Sequence, residues 1–262
     1  MKNNIVVVRG GGDIATGSIQ KLYRTGFKVV ILEVERPTAI RRTVALSDAI
    51  YAGEHRVEDV VAKKVSTIEQ IEDCWNKNIV PIKIDPNCEI LREIKANFLV
   101  DAILAKKNLG TNKSMADRTI ALGPGFCAGV DVDIVVETNR GHNLGRLIFD
   151  GFAEENTGNP GNIMGYTTQR VLYSPGKGII KNRCDIGDVV KEGEIVATVD
   201  GKEIRSKLGG VLRGIIRNNS IVFTGMKIGD VDPRTDTNYN TISDKARAVG
   251  GAVLEAIMLN KI

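Results

Sequence analysis

Apolar residues fall along this chain in short runs separated by glycine turns and amphipathic segments. Ile5 to Val8 is an unbroken apolar run and predicts a short buried strand. Gly10, Gly11 and Gly12 follow, and an apolar-periodic segment through Ile19 and Leu22 predicts a helix. Phe27 to Leu32 predicts a second strand, ending in Glu33. Residues 57–65 read as extended, 67–76 and 91–96 as helices, and 79–84 and 98–104 as strands, with Pro81 placing 79–84 near a sheet edge. Strand and helix alternate over these hundred or so residues, which predicts a parallel sheet with covered faces. The polar segment 106–117 reads as a surface loop or a mobile lid. A strand at 119–122 leads into Gly-Pro-Gly-Phe-Cys-Ala-Gly, residues 123–129, and one at 134–137 leads into Thr-Asn-Arg-Gly-His-Asn-Leu-Gly-Arg, residues 138–146. Residues 147–149 complete a hairpin.

Beyond the turn-rich stretch 156–161 the period changes, and the chain repeats itself. Gly178-Ile-Ile-Lys-Asn recurs as Gly214-Ile-Ile-Arg-Asn, and Val190-Lys-Glu-Gly193 as Val222-Phe-Thr-Gly225, each followed by Val-Asp, at 199–200 and 231–232. Two related units of short strands and glycine turns predict a small β domain with a pseudo-two-fold, Asp200-Gly201 forming a hairpin tip. An amphipathic segment over about 243–259 predicts a closing helix. The expectation is an α/β chain in three parts. A Rossmann-like nucleotide-binding domain covers 1–161, an all-β domain covers 162–236, and 237–262 carries a helix that packs back on the first domain.

Charge is balanced, with 36 Lys and Arg against 32 Asp and Glu and a net charge of +4. Basic residues form no long block and aromatic residues are few, so no nucleic-acid partner is expected. No apolar run has the length of a membrane span, and the first strand begins almost at once, so neither membrane nor signal peptide is expected. Cys74, Cys88, Cys127 and Cys184 are scattered without metal-ligand spacing, which predicts free thiols, a cytoplasmic setting and no metal.

Gly10, Gly12 and Ala15 fit a G-x-G-x-x-A dinucleotide-binding turn, and Glu33 stands roughly 20 residues on, where a ribose-binding acid belongs. Bare amides of Gly10, Gly11, Gly12, Asp13, Ile14, Ala15 and Thr16 at a helix start would receive a pyrophosphate. Arg36 could accept a 2′-phosphate, which leaves NAD(P) or a pterin cofactor open as ligand. Asp13 departs from the pattern, since a carboxylate there repels phosphate unless it caps the helix. The bland alternative is a strand-to-helix turn that binds nothing. The second constellation is Cys127 with His142, a thiol and a base that could act in catalysis, and Arg140 and Arg146, which could hold an anion. An inert cysteine and a turn histidine are the alternatives.

Residues 174–180, 186–197 and 209–216 resemble the biotinyl/lipoyl barrel-sandwich hybrid. Carriers of that family present a modified Lys between two Met. The tip here is Asp-Gly-Lys-Glu with Lys202, so docking or bracing is implied instead. Nearly the whole chain resembles the YqeB family of selenium-dependent molybdenum hydroxylase accessory proteins, whose nucleotide-binding part is related to xanthine dehydrogenase accessory factors. The resemblance rests on residues 9–17, 35–42, 123–129, 137–146 and Lys-Ile-Gly-Asp-Val-Asp-Pro-Arg at 227–234. It implies a maturation factor that binds a dinucleotide or a molybdopterin-type cofactor, assists insertion of selenium or cofactor, and docks a molybdenum hydroxylase apoenzyme. Whether it is an enzyme, and whether it forms an oligomer, stay open. An NAD(P)-dependent oxidoreductase, although no Tyr-x-x-x-Lys pair is present, and a non-catalytic adaptor with a vestigial nucleotide site are the other readings.

Overall fold

The computed structural model describes residues 4–156, 158 and 160–260. The chain divides into two compact units. The larger takes residues up to 37, then 45–156 and 242 onward, and the smaller takes 38–44 and 157–241. The predicted break within 156–161 falls partly outside the described residues.

The larger unit is built on β1 (Ile5–Arg9), α1 (Asp13–Arg24), β2 (Lys28–Glu33), α2 (Ala49–Ala52), β3 (Glu54–Val57), β4 (Val60–Val65), α3 (Ile68–Asn76), β5 (Val80–Ile84), β6 (Phe98–Asp101), β7 (Arg118–Leu122), β8 (Cys127–Ala128), β9 (Ile134–Val136), β10 (Leu147–Ile148) and β11 (Gly151–Phe152). Nine strands form one sheet in the order β10-β9-β7-β6-β1-β2-β5-β4-β3. Val6, Val7 and Val8 are fully buried, as a central strand with covered faces requires. The inner strands run parallel, while β3 and β10 pair antiparallel at the two edges.

That sheet corrects the expected Rossmann-like parallel domain. It is mixed, and among the described residues α-helices stand between β1 and β2, β2 and β3, and β4 and β5, while the connections from β5 through β10 carry none. A short 3-10 turn stands where a helix over 91–96 was expected, because the Asp85 carboxylate accepts the Glu89 and Ile90 amides and turns the chain tightly. The last helix, α4 (Asp244–Met258), covers the sheet instead. Ser243 caps it, its hydroxyl accepting from the Ala246 amide. At its other end Arg118 donates to the Ala256 and Leu259 carbonyls, satisfying groups that a helix C-terminus leaves open. α4 meets α1 backbone to backbone. A Cβ on Gly17 would fall 2.3 Å from the Ala246 carbonyl oxygen, and one on Gly250 would fall 2.4 Å from the Gly17 oxygen.

The smaller unit holds β12 (Val171–Tyr173), β13 (Gly178–Asn182), β14 (Val189–Val190), β15 (Ile195–Val199), β16 (Lys202–Arg205), β17 (Gly210–Ile215), β18 (Ile221–Val222) and β19 (Lys227–Asp232). They form two four-stranded antiparallel sheets, β12-β19-β17-β14 and β16-β15-β13-β18, in place of the expected barrel-sandwich hybrid. The sequence repeat is visible in the pairing. β13 joins β15 and β18, just as β17 joins β19 and β14. Ile180, Val196, Leu212, Val222 and Val231 fill the core between these strands.

Candidate functional site

The sheet's central strand points its carboxyl end at the glycine turn. Gly10 has φ 94 and lies so close to the Ala102 backbone that a Cβ would sit 3.1 Å from its oxygen, so only glycine fits. Three of the turn's amides are engaged within the protein. Gly10 N–H donates to the Leu32 carbonyl at 2.8 Å, Gly11 N–H to a Glu33 carboxylate oxygen at 2.9 Å, and Ile14 N–H to Asp13 Oδ1 at 2.9 Å. The other Glu33 oxygen accepts from Val34 N–H. Burial raises the Glu33 pKa above the ordinary carboxyl value, and the two amide bonds oppose that shift. Thr16 turns its hydroxyl to the Gly12 carbonyl and accepts from the Leu46 amide. Ala15 is fully buried, and Arg36 is exposed. Glu33 thus closes the turn where a ribose was expected.

Beside the turn, Arg9 plugs the sheet edge. Its guanidinium meets Asp101 at 3.3 Å, donates to Thr111, and reaches the Pro86 carbonyl at 3.0 Å. All three side-chain-bearing partners in this knot, Arg9, Asp101 and Thr111, are buried. The segment expected as a lid is therefore pinned at Thr111.

The loop after β9 carries the second constellation. Glu137 is buried, and its two carboxylate oxygens accept from the Asn139 and Glu154 amides. Arg140, His142 and Arg146 are exposed. Arg140 grips Asp244 at the start of α4 through two bonds, 2.8 and 2.9 Å. An open groove of about 460 Å³ runs past His142, Arg146, Phe149 and Glu255. Cys127 is half-buried, its amide bonded to Asp131 and its thiol facing the Ala128 carbonyl. Among the described residues no hydrogen bond joins it to His142, Arg140 or Arg146.

One residue at this edge gave no signal in the sequence. Lys245, half-buried in the first turn of α4, lies among Asp13, Glu137, Arg140 and Asp244. Burial lowers its pKa below the ordinary lysine value and Arg140 adds to that, while the three carboxylates oppose it. It stands more than two hundred positions from Asp13, and only the α1–α4 contact brings them together. The starts of both helices therefore lie on the same sheet edge, beside two cationic side chains. Among the described residues no group of three His, Cys, Asp or Glu is arranged to hold a metal, and no helix is long and apolar enough to cross a membrane.

No family model matches the chain. The chain is 50% identical over 258 residues to the uncharacterized protein YqeB of Escherichia coli (strain K12), a match covering 98% of this chain. It spans about half of that relative, 48% of its length. Among solved structures, an aspartoacylase family protein from Mesorhizobium loti is 12% identical, covers 87% of this chain and 84% of its own, and has a TM-score of 0.27. The product-bound ectoine utilization protein EutE (DoeB) from Ruegeria pomeroyi is also 12% identical, with 87% and 85% covered and a TM-score of 0.27. A succinylglutamate desuccinylase from Silicibacter sp. TM1040 has a TM-score of 0.26, at 12% identity with 87% and 84% covered. At those scores they carry no argument about activity. The mixed sheet and the partnered Gly10, Gly11 and Ile14 amides take away the expected Rossmann nucleotide site, and the molybdenum and selenium expectations rest on the motif resemblance alone.

Proposed function

We propose, from the premise that the chain belongs to the YqeB family and spans about half of its relative from Escherichia coli, that it is an accessory factor holding a phosphorylated small-molecule cofactor at the carboxyl edge of its nine-stranded sheet. The observation that carries this is Lys245. A half-buried ammonium beside Arg140, at an edge where two helices begin, is what this edge offers the phosphate of a pterin-type cofactor, against the Asp13, Glu137 and Asp244 carboxylates around it. The client, on the strength of the accessory-protein motifs, is a selenium-dependent molybdenum hydroxylase apoenzyme. Binding, not turnover, is the proposed activity. The dinucleotide alternative loses support because the Gly10 and Gly11 amides already have partners. Calorimetric titration with isolated molybdopterin tests it. Lys245→Met and Arg140→Gln should each weaken binding about tenfold, the scale of a hydrogen bond to a charged group. Unchanged affinity in both variants would overturn the reading.

A further inference from the structure

The motif at 227–234 plays no part in that reading, and it builds a second charged site, in the smaller unit. β19 turns Asp230 and Asp232 inward, and both are buried. Arg170, itself buried, meets Asp230 at 3.1 Å, and Lys227 approaches the same carboxylate at 4.0 Å. Asp232 is held by Arg234, whose backbone amide, Nε and Nη2 donate to it at 3.1, 2.9 and 2.7 Å. Arg213 is left over. It falls in a bulge between β17 and β19, where the register shifts between Leu212 and Gly214, and a bulge re-aims the side chain it frees from the ladder. Its side chain is 14% exposed, its Nη1 stays 3.8 Å from Asp232, and its buried Nε has no hydrogen-bond partner. Arg41 packs against Gly214 next to it.

A buried guanidinium is costly to desolvate unless an anion accepts hydrogen bonds from its N–H groups. Arg234 already supplies three hydrogen bonds to Asp232, and Arg213 makes none to it. Arg170, Arg213, Arg234 and Lys227 face the two carboxylates, so the cluster keeps a surplus of positive charge. We infer that Arg213 and Arg234, set over the buried Asp232, form a binding site for the phosphate group of a small phosphate monoester. Guanidinium forks match a tetrahedral oxyanion, and a monoester carries about −1.5 to −2 charge at neutral pH, which balances the surplus. The site lies in the unit that does not contain Lys245, so it is separate from the one proposed above.

The test uses the full chain, with inorganic phosphate as probe. In wild-type protein the arginine Nε–Hε resonance of Arg213, assigned by its loss in Arg213→Lys, should shift saturably as phosphate is added at low salt. Calorimetry should show this binding event weakened at least tenfold in Arg213→Met and in Arg234→Gln, partly kept in Arg213→Lys, and unchanged in Lys245→Met. That last variant removes only the other site, so the two proposals fail separately. A resonance that does not move, or equal phosphate affinity in wild type, Arg213→Met and Arg234→Gln, would overturn the inference.

Discussion

Glu33 carries the sharpest lesson at the scale of single residues. Its position after the second strand is legible in the sequence, yet its chemistry is not, because an acid near a glycine turn can bind either a ribose or the turn itself. Here the buried Gly11 amide depends on it. Glu33→Ala leaves that N–H without a partner and should cost about 1–3 kcal/mol in urea unfolding. Glu33→Gln keeps an acceptor and should hold most of the stability. The same pair reports on pH. Because the folded pKa is raised, the protonated carboxyl is favoured in the fold. Stability is then greatest below the ordinary value of about 4.3, falls as pH rises from there through the folded pKa, and levels off above it. Urea midpoints collected from pH 4 to pH 7 should show that decline in wild type and not in Glu33→Gln. The cysteines separate by burial in a way no spacing reveals. Desolvation pushes the Cys88 thiol up to about 11 despite nearby Arg9, whereas Cys127 is half-buried. At pH 8, iodoacetamide followed by mass spectrometry should label Cys127 well before Cys88.

Elements were read more surely than residues. The buried strands β1, β2 and β7, the Thr67-capped α3 and the final helix follow from period and capping chemistry. The Asp200-Gly201 tip is a two-residue turn with both residues at positive φ, as the dipeptide suggests. What local pattern could not supply is which connections lack helices: Asp85 folds its own loop through the Glu89 amide, and Arg9 reaches across to the Pro86 carbonyl. Two adjacent glycines of α4 make the tertiary term measurable. Gly251 has nothing within 4 Å of an added Cβ, and alanine there should stabilise by about 0.5–1 kcal/mol through helix propensity. Gly250→Ala, with its methyl driven into the α1 backbone, should destabilise by about 1–3 kcal/mol. Thermal unfolding of the two variants should therefore move in opposite directions. A common direction would mean that α4 does not seat on α1 this closely.

For the whole molecule, the repeat is visible in the sequence as paired motifs and in the structure as matching strand pairings. The assignment of 38–44 to the smaller unit is not visible in the sequence, because those seven residues look like a continuation of what precedes them. Their role appears only in contacts: Gly214 has no room for a Cβ beside Ile40, Arg42 donates to the Ile215 carbonyl and meets Asp185 at 2.6 Å, and Thr43 donates to the Tyr239 carbonyl. Lys245 was hidden for the same reason. A site assembled from residues 13, 137, 140, 244 and 245 has no local spacing to find.

The strip 38–44 and helix α4 are reciprocal loans. The stretch before residue 157 lends the strip to the smaller body, and the stretch after it lends the helix to the larger one. Sever the backbone there and each fragment still owns a part that the other cannot fold without. Fragments 1–156 and 157–262, made as separate polypeptides in the same cell, should therefore purify as one non-covalent pair. Either fragment made alone should be insoluble or rapidly degraded.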